Sequence, residues 1–300
     1  MAPGIAAVFA AGGLEATIYA RRSDAGEQAS KTAQEQRRLL VEHDLALSAD
    51  TQIGSTTDLG DAVAGAEIVV EAISEDVSAK QGLFSEVEDR VEAEVILAST
   101  TSGLDIAAIS AGARHKARFV VTHFWNPAHL VPLVEVLGGD DADVTMVDDV
   151  VSLLCRMGKY PVRLEKYAPG FIGARLQQAV VREAIALLES GVATAEAIDA
   201  ATRLSFGARF PVLGPLETSD LGGLDVISAI HEYLLPDLDC SREPQKWLQS
   251  LVESGNLGVK TGAGFYDWSS RDAAQLAQRR DEELLARIKD LHRHGVLGIG

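Results

Sequence analysis

Three side chains in this sequence are placed to do chemistry: His123 in T-H-F-W-N-P, Glu135 in V-P-L-V-E-V and Ser102 in S-T-T-S-G-L. A carboxylate among apolar neighbours is costly unless something donates to it. An imidazole is the side chain whose charge changes most readily near neutral pH. Paired, they make a general-base dyad in which the ring takes a proton from a hydroxyl while the carboxylate orients the ring and offsets its charge. Each residue alone has a plainer reading. A single histidine is more often a core or surface residue, Glu135 reads equally as a strand-edge charge, and Ser102 as a turn or helix-capping hydroxyl. It is the three together that favour a site.

Such a site needs elements to hold it. Small apolar residues over 5–11 read as a helix, Gly12 and Gly13 break it, and 15–19 has strand composition. Helical spacing then covers 23–43, a short strand 52–57, a small helix 61–66, a buried strand 67–73, a helix 77–91 and strands 94–99 and 119–122. Short apolar strands alternating with helices predict a parallel sheet covered on both faces, the doubly wound α/β architecture that binds ligands at the carboxyl ends of its strands. Ser102 follows one such strand and His123 ends another. Beyond about residue 164 the pattern becomes helical, with helices over 172–189, 194–204 and 221–235 and a charged amphipathic tail over 272–294. The expected organisation is therefore a dinucleotide-binding Rossmann-like domain over 1–165 and an all-helical substrate and dimerisation domain over 166–300.

Composition narrows the partners. With 47% hydrophobic residues the chain has the means to bury a core, and a formal charge of −17 disfavours nucleic acid and anionic membrane surfaces. Cys155 and Cys240 lack the spacing of a zinc site or a disulfide framework, so no metal is expected. With neither a basic leader nor a long apolar run, a cytoplasmic protein acting on a small molecule is expected.

The ordered blocks V-V-E-A-I-S-E-D (69–76), S-T-T-S-G-L, T-H-F-W-N-P, V-P-L-V-E-V, P-G-F-I and K-T-G-A-G-F-Y (260–266) resemble the successive signatures of the 3-hydroxyacyl-CoA dehydrogenase family. The likeness runs over about residues 1–268. It implies hydride transfer between NAD(P) and a 3-hydroxyacyl substrate, with His123 as base, Glu135 as its partner and Ser102 on the substrate oxygen. It further implies that Glu75, Lys80, Asn126 and Lys260 line the dinucleotide site, and that two copies pair through the helical domain. Glu75 and Lys80 also read as a helix-start charge and an ordinary surface lysine.

The chain departs from the family pattern in three places. It begins M-A-P-G-I-A, which fits the end of a G-x-G-x-M-x-x-G-I-A loop, so the family's first strand and first glycines are missing. Ala2 and Gly4 are then the remaining phosphate-loop positions, and the natural chain is expected to start about ten residues further upstream. Ala20 stands where an acidic residue would bond the ribose hydroxyls of NAD, and Arg21 and Arg22 follow, which favours NADP slightly over NAD. Ala174 replaces a polar substrate-facing asparagine, removing one hydrogen bond. With Ser102 and Asn126 it completes the expected substrate pocket. Ala174 and a short basic arm carrying Lys31, Arg37 and Arg38 raise a second reading, a dehydrogenase of a small free hydroxy acid or hydroxymethyl aromatic acid. A third is a catalytically silent binding protein on the same scaffold, against which the intact Ser102, His123 and Glu135 argue.

Overall fold

The strands expected between residues 15 and 122 all form in the computed structural model, which describes residues 1–48 and 50–297. The order is α1 (Ala2–Ala11), β1 (Ala16–Tyr19), α2 (Ser23–Glu42), β2 (Ile53–Thr56), α3 (Leu59–Val63), β3 (Ile68–Glu71), α4 (Val77–Glu88), β4 (Ile96–Ser99) and α5 (Ile106–Ile109). β5 (Phe119–Phe124), β6 (Leu133–Gly138), α6 (Val144–Arg156) and β7 (Tyr160–Arg163) follow. Aspartates start several helices. Asp58, Asp76, Asp105 and Asp143 each accept a first-turn backbone N–H of α3, α4, α5 and α6, satisfying a donor that the helix leaves open.

β3, β4, β5, β6 and β7 lie side by side in that order, and β1 pairs in parallel with β2 as a separate piece. Alternation along the strands fills two cores. Ala98, Val120, Val134 and Val136 face Ile5 and Phe9 of α1 and Met146, Val150 and Leu154 of α6. Leu97, Phe119 and Val121 face Phe84 and Val87 of α4 and Ile106 and Ile109 of α5. Each such fully buried aliphatic or aromatic side chain contributes about 1.5–3 kcal/mol. α1 is enclosed nearly all round because it also meets the small piece, where Ala6, Ala7 and Ala10 pack on Ile18, Ile53 and Ala33. Among the described residues β1 pairs only with β2, and β3 only with β4.

Two features differ from the sequence expectation. β6 runs antiparallel to β5, so the sheet is not wholly parallel, and this reversal sets His123 directly opposite Glu135. β6 and β7, joined through α6, also extend the sheet beyond the last expected strand.

The chain divides into one unit of residues 1–174 plus Gln278 onward and a second of residues 175–277. The second contains most of α7 (Gly173–Glu189), then α8 (Ala195–Leu204), α9 (Phe206–Arg209), α10 (Pro215–Gly222), α11 (Leu224–Leu234) and α12 (Lys246–Glu253). Helix α13 (Ala273–Arg293), expected with the second domain, returns to the first unit. Leu285 and Ile288 on its apolar face pack on Leu130, Leu39 and Leu45. Among the described residues no helix is long and apolar enough to cross a membrane.

Candidate active site

Directly opposed antiparallel residues project to the same face with their β-carbons about 5 Å apart. His123 and Glu135 are such a pair, and the ring Nδ1 lies 2.8 Å from Glu135 Oε2. Both are enclosed, with side-chain exposures of 7% and 1%. A carboxylate at Nδ1 assigns the proton to that nitrogen and leaves the Nε2 lone pair available to accept one. Glu135 is supplied on both oxygens. Trp125 Nε1 donates to Oε2 at 3.3 Å, and the amides of Ile172 and Gly173 donate to Oε1 at 2.8 and 3.0 Å. Burial alone would raise its pKa, but the hydrogen bonds from His123, Gly173, Ile172 and Trp125 together outweigh it and hold the carboxyl below its ordinary range. The group beside the ring is thus a carboxylate at neutral pH.

The P-G-F-I motif explains how two amides reach one oxygen. Gly170 and Phe171 are consecutive left-handed residues, at φ 76° and 51°, and this turn aims the next two N–H groups together at Glu135. Phe171 holds an uncommon conformation for a bulky side chain. Phe171, 1% exposed, packs on the His123 imidazole with ring centroids 5.4 Å apart, so burial fixes both the strained residue and the imidazole. Gly173 is glycine for space, since a β-carbon there would stand 2.4 Å from Trp125 Cζ2.

Ser102 lies three residues beyond Ser99 at the end of β4, the parallel neighbour of β5, so its hydroxyl belongs to the same sheet edge as His123. Its amide donates to Glu75 Oε1 at 2.8 Å, and Thr101 Oγ1 donates to the same oxygen at 2.6 Å. Burial would raise the pKa of Glu75, but those bonds and the Lys80 ammonium lower it on balance. Beneath them, Lys80 Nζ donates to both oxygens of Glu71, at 2.7 and 2.9 Å, and lies 3.3 Å from Glu75. Ser99 Oγ and the Ile73 amide complete the Glu71 shell. Lys80 is 1% exposed, so the surface-lysine alternative does not hold, and Lys80 faces Glu71 and Glu75 rather than solvent.

The remaining expected residues are dispersed. α1 opens at Ala2, and Gly4 sits where a β-carbon would come within 3.0 Å of Ala128 Cβ, against the segment that leaves β5. Gly4 is therefore glycine for close packing of α1 on that segment, and only the helix N-terminus itself, whose amides carry positive charge, fits a phosphate group. Exposed Asn126 follows in that segment, and exposed Glu75 offers an acceptor at the neighbouring strand end. These donors and acceptors fit a dinucleotide. Arg21 and Arg22 are exposed after β1, where Arg22 makes a double hydrogen bond with Asp24 at 3.1 and 3.0 Å. Ala174 lies in the first turn of α7, next to Gly173. Lys260 is exposed in the second unit, in the turn bracketed by the Gly258–Ala263 bridge.

The sequence reading did not single out Glu71, nor Trp125 and Phe171 as supports of the dyad. Glu71 carried a signal, a carboxylate ending the apolar strand I-V-V-E nine residues before Lys80. The role of Phe171 depends on a left-handed turn that no spacing rule announces.

Two family models match the chain. The one described as 3-hydroxyacyl-CoA dehydrogenase, NAD binding domain, covers residues 1–167, and the one for the C-terminal domain covers residues 170–268. The chain is 30% identical over 289 residues to the 5-formyl-3-hydroxy-2-methylpyridine 4-carboxylate 5-dehydrogenase of Mesorhizobium japonicum, covering 95% of this chain and 93% of that one. It is 34% identical over 273 residues to a probable 3-hydroxybutyryl-CoA dehydrogenase of Deinococcus radiodurans, covering 89% and 96%. A crystal structure of a 5-formyl-3-hydroxy-2-methylpyridine 4-carboxylic acid 5-dehydrogenase, described as an NAD+-dependent dismutase, superposes with a TM-score of 0.92 at 30% identity over 97% of this chain and 95% of that one. An (S)-3-hydroxybutyryl-CoA dehydrogenase from Ralstonia eutropha, also 30% identical, superposes with a TM-score of 0.72 over 90% and 96%. With both family models matched in order over residues 1–167 and 170–268, the chain belongs to the 3-hydroxyacyl-CoA dehydrogenase family.

Proposed function

We propose that this chain oxidises and reduces a carbinol carbon beta to a carbonyl or carboxylate, of the 3-hydroxyacyl type, with His123 Nε2 taking and returning the hydroxyl proton. The observation that carries this is the 2.8 Å pairing of His123 Nδ1 with a buried, fully donated carboxylate. Glu135 offsets the charge the ring gains, and Ser102 bonds the substrate oxygen while the C–H bond is broken. A bound nicotinamide supplies the hydride acceptor. Ala2, Gly4, Glu75 and Asn126 are the residues proposed to hold the dinucleotide.

A second reading replaces the thioester by a small free hydroxy acid or hydroxymethyl aromatic acid. Two observations favour it. Ala174 offers no hydrogen bond to an acyl carbonyl, and at equal identity the superposition on the pyridine-carboxylate dehydrogenase is closer than on the Ralstonia enzyme, 0.92 against 0.72. Initial rates with 3-hydroxybutyryl-CoA and with a panel of free hydroxy acids separate the two. Turnover of the thioester supports the first reading, turnover of the acids alone the second, and turnover of neither panel overturns both.

The slight preference for NADP rests on Ala20 in place of an acidic residue and on the two arginines that follow it. Arg22 is paired with Asp24 on the surface, which leaves Arg21 as the one of the two arginines near Ala20 that is unengaged among the described residues, so we propose NAD(P) with NADP slightly favoured through Arg21. Fluorescence titration with NADH and NADPH, before and after Arg21→Ala, tests this. We further propose a cytoplasmic homodimer, supported by exposed Leu204, Val212, Leu216 and Leu221 in the helical unit. Sedimentation of Leu216→Glu against the parent chain tests it. A monomeric parent would remove it.

A further inference from the structure

The cluster beneath Ser102 holds one cation between two carboxylates. Glu71 takes the Lys80 ammonium on both oxygens at 2.7 and 2.9 Å, and the two side chains are 0% and 1% exposed. That pair alone is neutral. Glu75 then brings a second carboxylate to 3.3 Å from the same ammonium, with its own side chain 44% exposed at the mouth. A buried lysine needs one counter-ion, and here it has two. Thr101 and Ser102 hold Glu75 Oε1 toward the loop that carries the substrate serine, so the excess negative charge is displayed beside the reacting atoms.

We propose that the Glu71–Lys80–Glu75 triad, through its net charge of −1, makes this site bind the oxidised nicotinamide in preference to the reduced one, with Glu71 as the residue that sets that charge. This rests on the dinucleotide reading above. The oxidised ring is a cation and the reduced ring is neutral, so a fixed local charge acts on one form and hardly on the other. Glu71 is buried beneath the cluster, so it acts as a positioning residue. It cancels the Lys80 charge from below and thereby leaves the Glu75 charge uncompensated at the surface. Without it, Lys80 would neutralise Glu75 and the preference would disappear.

The test is Glu71→Gln in the full chain, with dissociation constants for NAD+ and for NADH measured separately by calorimetry and fluorescence. A single charge acting through an effective dielectric constant of about 40 over about 10 Å predicts that NAD+ weakens about fourfold while NADH stays within experimental error. Ser99→Ala removes one bond to Glu71 and keeps its charge, so it leaves the NAD+ to NADH ratio unchanged. If Glu71→Gln does not fold, Glu75→Gln removes the same charge from an exposed position and must move the ratio in the same direction. Equal weakening of both forms, or an unchanged ratio in the folded variants, overturns the proposal. An unaltered protein that binds neither NAD+ nor NADH removes the dinucleotide reading itself, and this inference with it.

Discussion

Replacing Glu135 by glutamine keeps the shape of the side chain and reverses half of its hydrogen-bonding. Both oxygens now receive donors, from His123 and Trp125 on one side and from the amides of Ile172 and Gly173 on the other. A glutamine NH2 must therefore face two N–H groups whichever way the amide is turned. Each backbone donor left unpaired costs about 1–3 kcal/mol, so the amide oxygen should face Ile172 and Gly173 and its NH2 should face the ring. His123 is then driven to the opposite tautomer, with the lone pair on Nδ1 and a proton already on Nε2. The variant also loses the charge that offsets the imidazolium. Two unit charges about 4 Å apart in a medium of effective dielectric constant about 20 interact by about 4 kcal/mol. At 1.36 kcal/mol per decade, turnover falls by about a thousandfold. The assay is the initial rate of NADH formation at saturating substrate, with NADH affinity measured alongside. Turnover within about tenfold of the parent, with unchanged NADH affinity, would refute the role given to the carboxylate.

Two further outcomes follow from the packing. Gly173→Ala forces Trp125 off Glu135, because the new β-carbon would stand 2.4 Å from Cζ2, and overpacking of this kind costs about 1–3 kcal/mol. Denaturant titration followed by tryptophan fluorescence measures it, and an unchanged midpoint would mean that the ring yields freely. His129 is held down to about 4, first by burial and then by the Lys159 charge, and its Nδ1 has no partner among the described residues. The unfolded chain then takes up this proton first, so the contribution of His129 to stability is level above about pH 6.5 and falls as pH drops toward 4, by up to about 3 kcal/mol. Melting temperatures at pH 7 and pH 4.5 check the sign, with His129→Leu losing less than the parent between them. Equal losses would remove the assignment.

Most of the site was legible because it depends on residue type along the sheet. His123 and Glu135 were paired as base and carboxylate from their residue types and apolar context together with Ser102, and the β5–β6 register puts the two opposite each other. Helix and strand positions up to residue 122 followed from short apolar runs, helical spacing and glycine breaks, which are local signals. What escaped depends on contacts between distant segments. For Lys80, which the resemblance put on the dinucleotide site with a surface lysine as the alternative, the buried pairing with Glu71 was invisible to helical spacing. The tail helix α13 read as part of the second domain because its amphipathic pattern says that it packs and not on what. Its Leu285 and Ile288 return to Leu130 in the first unit. The left-handed Phe171 would not be guessed from any propensity, since a bulky residue seldom adopts that conformation without tertiary packing.

The claim that His123 is the general base is tested most directly by His123→Ala, with turnover and NADH affinity measured on the same preparation. Removing a general base lowers turnover by about 100- to 10,000-fold, and because the ring accepts a substrate proton, NADH affinity should stay close to that of the parent. A variant that turns over within about tenfold of the parent, or that loses rate only in proportion to lost NADH binding, would contradict it.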